Sequence, residues 1–165
     1  MRLTPLTIAF GVSALSLSSV GSTQGRAITA DSLVWTQRGD AALAGGQASD
    51  ATDAYETAAA IDPDNARAFN GLAAAAMALE LPGKAIRFYR EALLLDDANR
   101  DALAGIGLAF ATKGATSQAE ASLARLEAVC GGGDCPGRAE LVAELEKGAV
   151  TAAALATKPV VEQAN

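Results

Sequence analysis

The chain has 165 residues, of which half are apolar and only 4% aromatic, and its formal net charge is −6. This acidity disfavours nucleic acid and anionic membrane surfaces as partners, because both are bound through lysine and arginine. Histidine is absent, which excludes His-based catalytic triads and His-ligated zinc or haem. We therefore expect a protein that is not an enzyme and that has no cofactor and no metal.

Residues 1–27 have the pattern of an export signal peptide. Arg2 precedes an uncharged, mostly apolar run from Leu3 to Val20, and small residues follow at Gly25 and Ala27, where a signal peptidase requires them. The run is short and rich in serine for a membrane-spanning helix. We expect cleavage after Ala27 and a periplasmic or secreted mature protein without a membrane span. The alternatives are cleavage a few residues earlier and an anchor that is not cleaved.

Residues 51–69 and 85–103 form two copies of one pattern that lie 34 residues apart. A fixed period of this length indicates stacked helical hairpins. The sequence therefore predicts an all-α solenoid of antiparallel helix pairs, in three units at about 32–65, 66–99 and 100–130. The matching positions include these pairs: Ala51 and Ala85, Tyr55 and Tyr89, Ala58 and Ala92, Asp62 and Asp96.

Apolar periodicity and turn residues set the expected helices in chain order. Two helices are predicted at about 33–44 and 49–61, two at 66–80 and 84–95, and two at 100–112 and 116–129. One more amphipathic helix, at 136–147, is expected to cover the end of the array. Residues 148–165 are rich in Ala, Thr and Val, and we expect them to form a frayed extension of this helix or a flexible tail.

Cys130 and Cys135 enclose a glycine-rich turn between the third unit and the last helix. In an oxidising compartment a disulfide is the first expectation for two cysteines so close together. Free thiols, a redox pair and a metal site are the alternatives, although the C-x-x-C spacing of redox sites is absent. Residues 131–147 are thus expected to form a disulfide loop followed by a capping helix.

The hydrophobic pattern of the three units resembles that of the tetratricopeptide-repeat family over about residues 32–130. The resemblance implies a right-handed solenoid that serves as a scaffold for protein partners. Departures occur at Arg38, Ala42, Leu126 and Gly131. The residues that carry the resemblance are Trp35, Gly39, Ala51, Tyr55, Ala58 and Pro63, then Phe69, Leu72, Ala73, Ala85, Tyr89 and Ala92, and last Leu103, Ile106, Gly107, Phe110, Ala119 and Leu123.

The first helix of each unit is expected to line the inner, concave face of such an array. Some family members hold the C-terminal carboxylate of a peptide there with a clamp of Lys, Asn and Arg. Asp40 and Asp101 stand close to where such bases are needed, and only Arg67 and Asn70 are suited to the role, so this clamp is not expected. The predicted peptide-binding residues are Thr36, Asp40, Arg67, Asn70, Ala74, Met77, Asp101 and Leu108.

These features together predict an exported protein-interaction module. Its concave groove is expected to bind a peptide or helix of a partner protein in the cell envelope. The alternative is a structural subunit or accessory factor of an envelope assembly, such as secretion or pilus machinery. In that case one face of the solenoid is a permanent interface and exposes an apolar patch in the isolated chain.

Overall fold

The computed structural model describes residues 27–156, with side chains up to Thr151. This part of the chain contains seven α-helices and no strand, which confirms the predicted all-α class. The predicted signal peptide, apart from Ala27, and residues 157–165 of the predicted tail lie outside the described residues. The helices are α1 Ala30–Ala44, α2 Ala48–Ile61, α3 Ala66–Ala78, α4 Pro82–Leu95, α5 Arg100–Thr112, α6 Thr116–Cys130 and α7 Arg138–Ala156.

The helices pair in sequence order and form two layers. The closest packing is within the hairpins α1–α2, α3–α4 and α5–α6. Helices α1, α3 and α5 also contact one another in turn, whereas α2, α4 and α6 make no such contacts among themselves. The first helices of the three hairpins therefore form one layer and the second helices form the other, and α7 packs on both α5 and α6 at the end of the array.

Polar side chains at the turns determine where α3 and α5 begin. The Oδ1 atoms of Asn65 and Asn99 accept hydrogen bonds from the backbone N–H groups of Ala68 (3.2 Å) and Ala102 (3.0 Å). Each bond satisfies an N–H group that has no partner within its helix. The two asparagines are 34 residues apart, so the same capping interaction recurs with the period of the repeat.

The core consists of small residues that bring the helices close together and of tyrosine rings between them. The ring of Tyr55 lies between Gly39 of α1 and Gly71 of α3, where a Cβ atom on either glycine would overlap it. Gly105 accommodates Tyr89 in the same way. Eight small residues that carry the repeat pattern are all buried: Gly39, Ala51, Ala58, Ala73, Ala85, Ala92, Gly107 and Ala119.

The two ends of the array differ from the sequence prediction. Helix α1 begins at Ala30, and Trp35 is only half-buried, with the guanidinium of Arg38 stacked 4.5 Å from the centre of its ring. Helix α7 continues to Ala156, past the predicted end at residue 147, so residues 148–156 extend this helix. Their high alanine content favours helix.

Cys130 and Cys135 form a disulfide, as predicted. The loop that they close contains Gly131 and Gly132, whose positive φ angles of 59° and 82° ordinary residues rarely adopt. Cys135 is buried in a cluster with Leu103, Ala104 and Leu126. The loop is thus anchored to α5 and α6 just before α7 begins.

Candidate functional site

A groove of about 470 Å³ lies along the layer formed by α1, α3 and α5. Of the eight predicted peptide-binding residues, the structure brings five together in its lining: Asp40, Arg67, Asn70, Ala74 and Asp101. The prediction had not assigned the other lining residues to the groove. They are Leu43, Tyr55, Gly71, Tyr89 and Asn99.

The other three predicted residues do not line this groove. Thr36 is fully buried, so its side chain is not accessible to a ligand, and its prediction as a contact is wrong for that reason. Its hydroxyl donates to the Ser32 carbonyl oxygen (2.9 Å) and accepts from Nδ2 of Asn65 (3.0 Å). Met77 is half-buried against the core around Tyr89, and Leu108 is half-buried outside the groove lining.

The polar groups at the α1 end of the groove satisfy one another. The Tyr55 hydroxyl donates a hydrogen bond to Oδ1 of Asp40 (2.9 Å), and Arg67 forms an ion pair with Oδ2 of the same carboxylate. Burial, followed by the hydrogen bond and the charge of Asp40, raises the pKa of Tyr55 above its usual value. Arg67 and Asp40 therefore neutralise each other at this end.

The α5 end of the groove has the same positions with different chemistry. The positions 34 residues after Asp40, Tyr55 and Arg67 are equivalent to them in the next repeat. They carry Ala74, Tyr89 and Asp101, respectively. Tyr89 is only 7% exposed. Its hydroxyl and the Asp101 carboxylate have no hydrogen-bond or ion-pair partner within the described part of the chain. Burial, followed by the negative charges of Asp101 and Glu140, raises the pKa of Tyr89 to about 12.

A third polar group at this end is also only partly satisfied. Asn70 donates from Nδ2 to Oδ1 of Asn99 (2.9 Å), which already accepts the capping bond from Ala102. The Oδ1 atom of Asn70 is buried, and no donor within residues 27–151 reaches it. The groove floor therefore changes from internally paired polar groups near α1 to unpaired ones near α5.

The described residues contain neither a metal centre nor a membrane span. Within residues 27–156, no three Cys, Asp or Glu side chains come together as metal ligands would. In the same range, no helix combines the length and apolar character needed to cross a bilayer. What the groove offers is hydrogen bonding and charge, which are the means of recognising a ligand.

No protein-family model and no curated protein matches this sequence. Solved structures do resemble it. The TPR domain of Sgt2 from Aspergillus fumigatus superposes with a TM-score of 0.72 at 25% identity, over 84% of this chain and 93% of that domain. The fold is that of a tetratricopeptide-repeat domain.

Two further tetratricopeptide-repeat structures were determined with ligands. The first TPR of Spaghetti (RPAP3) bound to the HSP90 peptide SRMEEVD has a TM-score of 0.65 at 21% identity, over 74% of this chain and 96% of that one. The TPR2B domain of yeast Sti1 in its pHsp70 complex has a TM-score of 0.66 at 18% identity, over 74% and 99%. At these identities the likeness concerns the fold alone.

Proposed function

We propose that the protein is a non-catalytic interaction module whose groove binds a segment of another protein. The unpaired polar groups of Asn70, Tyr89 and Asp101 carry this proposal. A buried polar atom without a partner, such as Oδ1 of Asn70, is unfavourable in a folded protein, and here it borders a groove in which a ligand can provide partners for all three groups. The RPAP3 structure bound to an HSP90 peptide and the Sti1 structure in its pHsp70 complex support the same use of the fold.

The ligand differs in kind from the acidic HSP90 peptide bound by RPAP3. Arg67 is neutralised by Asp40, and Asp101 adds a negative charge to the groove. A C-terminal carboxylate would meet repulsion where a clamp needs cations. The proposed ligand is therefore an internal peptide segment or one face of a helix.

A groove-filling variant tests this proposal. Ala74 is half-buried in the groove lining, and Ala74→Trp places a ring there. Ala128→Trp, at an exposed position of α6 outside the groove, is the matched control. We expect crosslinking in the cell-envelope fraction to capture a partner with the wild type and the control and to lose it with Ala74→Trp. Equal capture by all three proteins would exclude the groove.

The proposed location is the cell envelope, on the strength of the predicted signal peptide and the disulfide. Mass spectrometry of the protein from fractionated cells tests it. We expect a mature chain that begins at Ile28, found in the periplasm or medium, with no free thiol before reduction. An intact N-terminus together with two free thiols in the cytoplasm would contradict export.

A structural-subunit role has one observation in its favour, on the opposite face. A depression of about 530 Å³ between α4, α5 and α6 has Leu94, Ile106 and Phe110 in its lining, and Leu94 is 79% exposed. If this face is a permanent interface between copies, the mass in solution rises with concentration, and Leu94→Glu abolishes the rise. A monomer at all concentrations would exclude such self-association.

A further inference from the structure

The internal repeat provides a built-in comparison for the charge of the groove. At the first junction, the carboxylate of Asp40 accepts a hydrogen bond from the Tyr55 hydroxyl and forms an ion pair with the Arg67 guanidinium. At the second junction the cation position carries Asp101, and the acceptor position carries Ala74. Two substitutions between the copies thus remove the partner of the tyrosine and replace a positive charge by a negative one.

The site at the second junction contains Tyr89 as well as the exposed acidic residue Asp101. This tyrosine is almost fully buried, with 7% of its surface exposed, yet it reaches the groove lining. The hydroxyl of its counterpart Tyr55 has a hydrogen-bond partner in Asp40, whereas no described residue provides one for the hydroxyl of Tyr89. The position that Asp40 would occupy is open because Ala74 has no polar atom. A group from outside the chain has room to approach the hydroxyl there.

We propose that the groove receives a lysine or arginine side chain of its protein ligand, whose cationic group donates hydrogen bonds to the carboxylate of Asp101 and the hydroxyl of Tyr89. This inference rests on the proposed function and adds the charge of the ligand. A cation fits because Asp101 has no internal counter-ion within residues 27–151. An anionic ligand has no such match, since the Arg67 cation is already paired with Asp40.

The expected contribution is moderate because Asp101 is exposed, and water screens an exposed charge. The hydroxyl of Tyr89, whose side chain is almost fully buried, adds an oriented dipole. We expect Asp101→Asn to weaken binding of a basic peptide about threefold, and Tyr89→Phe, which keeps the ring, to weaken it less. Their effects should be less than additive, because both groups contact the same cation.

A peptide-display selection on the full chain tests the charge preference of the groove directly, with synthetic peptides in place of the natural partner. The probe is a library of random twelve-residue peptides, selected in parallel on the wild type, Asp101→Lys and Asp97→Lys. Asp97 is an exposed residue in the turn before α5 and does not line the groove, so it is the control for the change in net charge. Circular dichroism and urea unfolding verify that each variant folds.

We expect wild type and Asp97→Lys to select peptides with Lys or Arg at one shared position, and Asp101→Lys to select Asp or Glu there. Replacing that basic residue of a selected peptide by norleucine should lower affinity about as much as Asp101→Asn does. Selected peptides that lose binding to Ala74→Trp but show no basic preference would overturn the charge inference and leave the groove in place. If Ala74→Trp binds every selected peptide as the wild type does, the proposed function itself fails.

Discussion

The two junctions between repeats have an asparagine at the same repeat position, and its hydrogen bonds differ between them. At the first junction, Asn65 donates from Nδ2 to the hydroxyls of Ser32 (2.8 Å) and Thr36 (3.0 Å), and all three side chains are at most 1% exposed. At the second junction, Asn99 is half-buried and bonds to Asn70, and Ala66 replaces Ser32. The same repeated motif therefore forms a buried, fully hydrogen-bonded contact at the first junction. At the second junction it leaves polar groups that a ligand can bind.

The largest expected effect comes from removing each asparagine. Asn65→Ala deletes the cap of α3 and leaves two buried hydroxyls without their donor, so we expect a loss of about 3 kcal/mol in the free energy of unfolding. Asn99→Ala deletes a half-buried cap and should cost about 1 kcal/mol. Urea unfolding of both variants measures the difference. Equal losses would show that the two joints are energetically alike.

The raised pKa of the buried tyrosine at the second junction makes the stability of the fold depend on pH. The raised pKa of about 12 for Tyr89 means that the folded state retains a proton that the unfolded chain releases near pH 10. The resulting stabilisation is complete below pH 10 and disappears as the pH rises to about 12. We expect tyrosinate absorbance to appear in urea near pH 10, and in folded Tyr55→Phe only near pH 12. Tyrosinate in that folded variant at pH 10 would contradict the buried position of Tyr89.

Removing each hydroxyl compares the paired tyrosine with the unpaired one. Tyr55→Phe loses the hydrogen bond to Asp40, and we expect it to cost about 1 kcal/mol. Tyr89→Phe loses no internal hydrogen bond within the described residues and should change stability by less than about 0.5 kcal/mol. Thermal unfolding of the two variants tests this. A larger loss from Tyr89→Phe would mean that its hydroxyl has a structural partner and is not free for a ligand.

A small gain in stability is expected from restoring the missing partner at the second junction. Ala66 occupies the position of Ser32, and Ala66→Ser should offer a hydroxyl to Nδ2 of Asn99. We expect a gain of about 0.5 kcal/mol, measured by urea unfolding. The control is Ala128→Ser, at an exposed helical position with no such neighbour. A gain that the control shares would have no connection with the junction.

The fold was predictable because small apolar residues recur at a fixed interval, and a helix that carries them must pack closely on its neighbours. The role of Thr36 was not predictable from α1 alone, since its burial depends on Asn65, which lies 29 residues further along the chain. The end of α7 was misjudged because an alanine-rich segment without a clear apolar stripe has no packing signal. Tyr89 repeats Tyr55 in the sequence, and only a comparison of position 40 with position 74 shows that its hydroxyl lacks the acceptor that Asp40 provides for Tyr55.

Helix α7 also decides how many repeats the chain can have. Its Leu141 is fully buried against Gly107, on the surface of α5 where the first helix of a fourth unit would have to stack. Helix α7 thus acts as the end group of the array, because it occupies the surface on which another repeat would stack. A designer who wishes to lengthen the protein would therefore insert new units before the disulfide loop, because α7 already covers the surface of α5 next to Gly107.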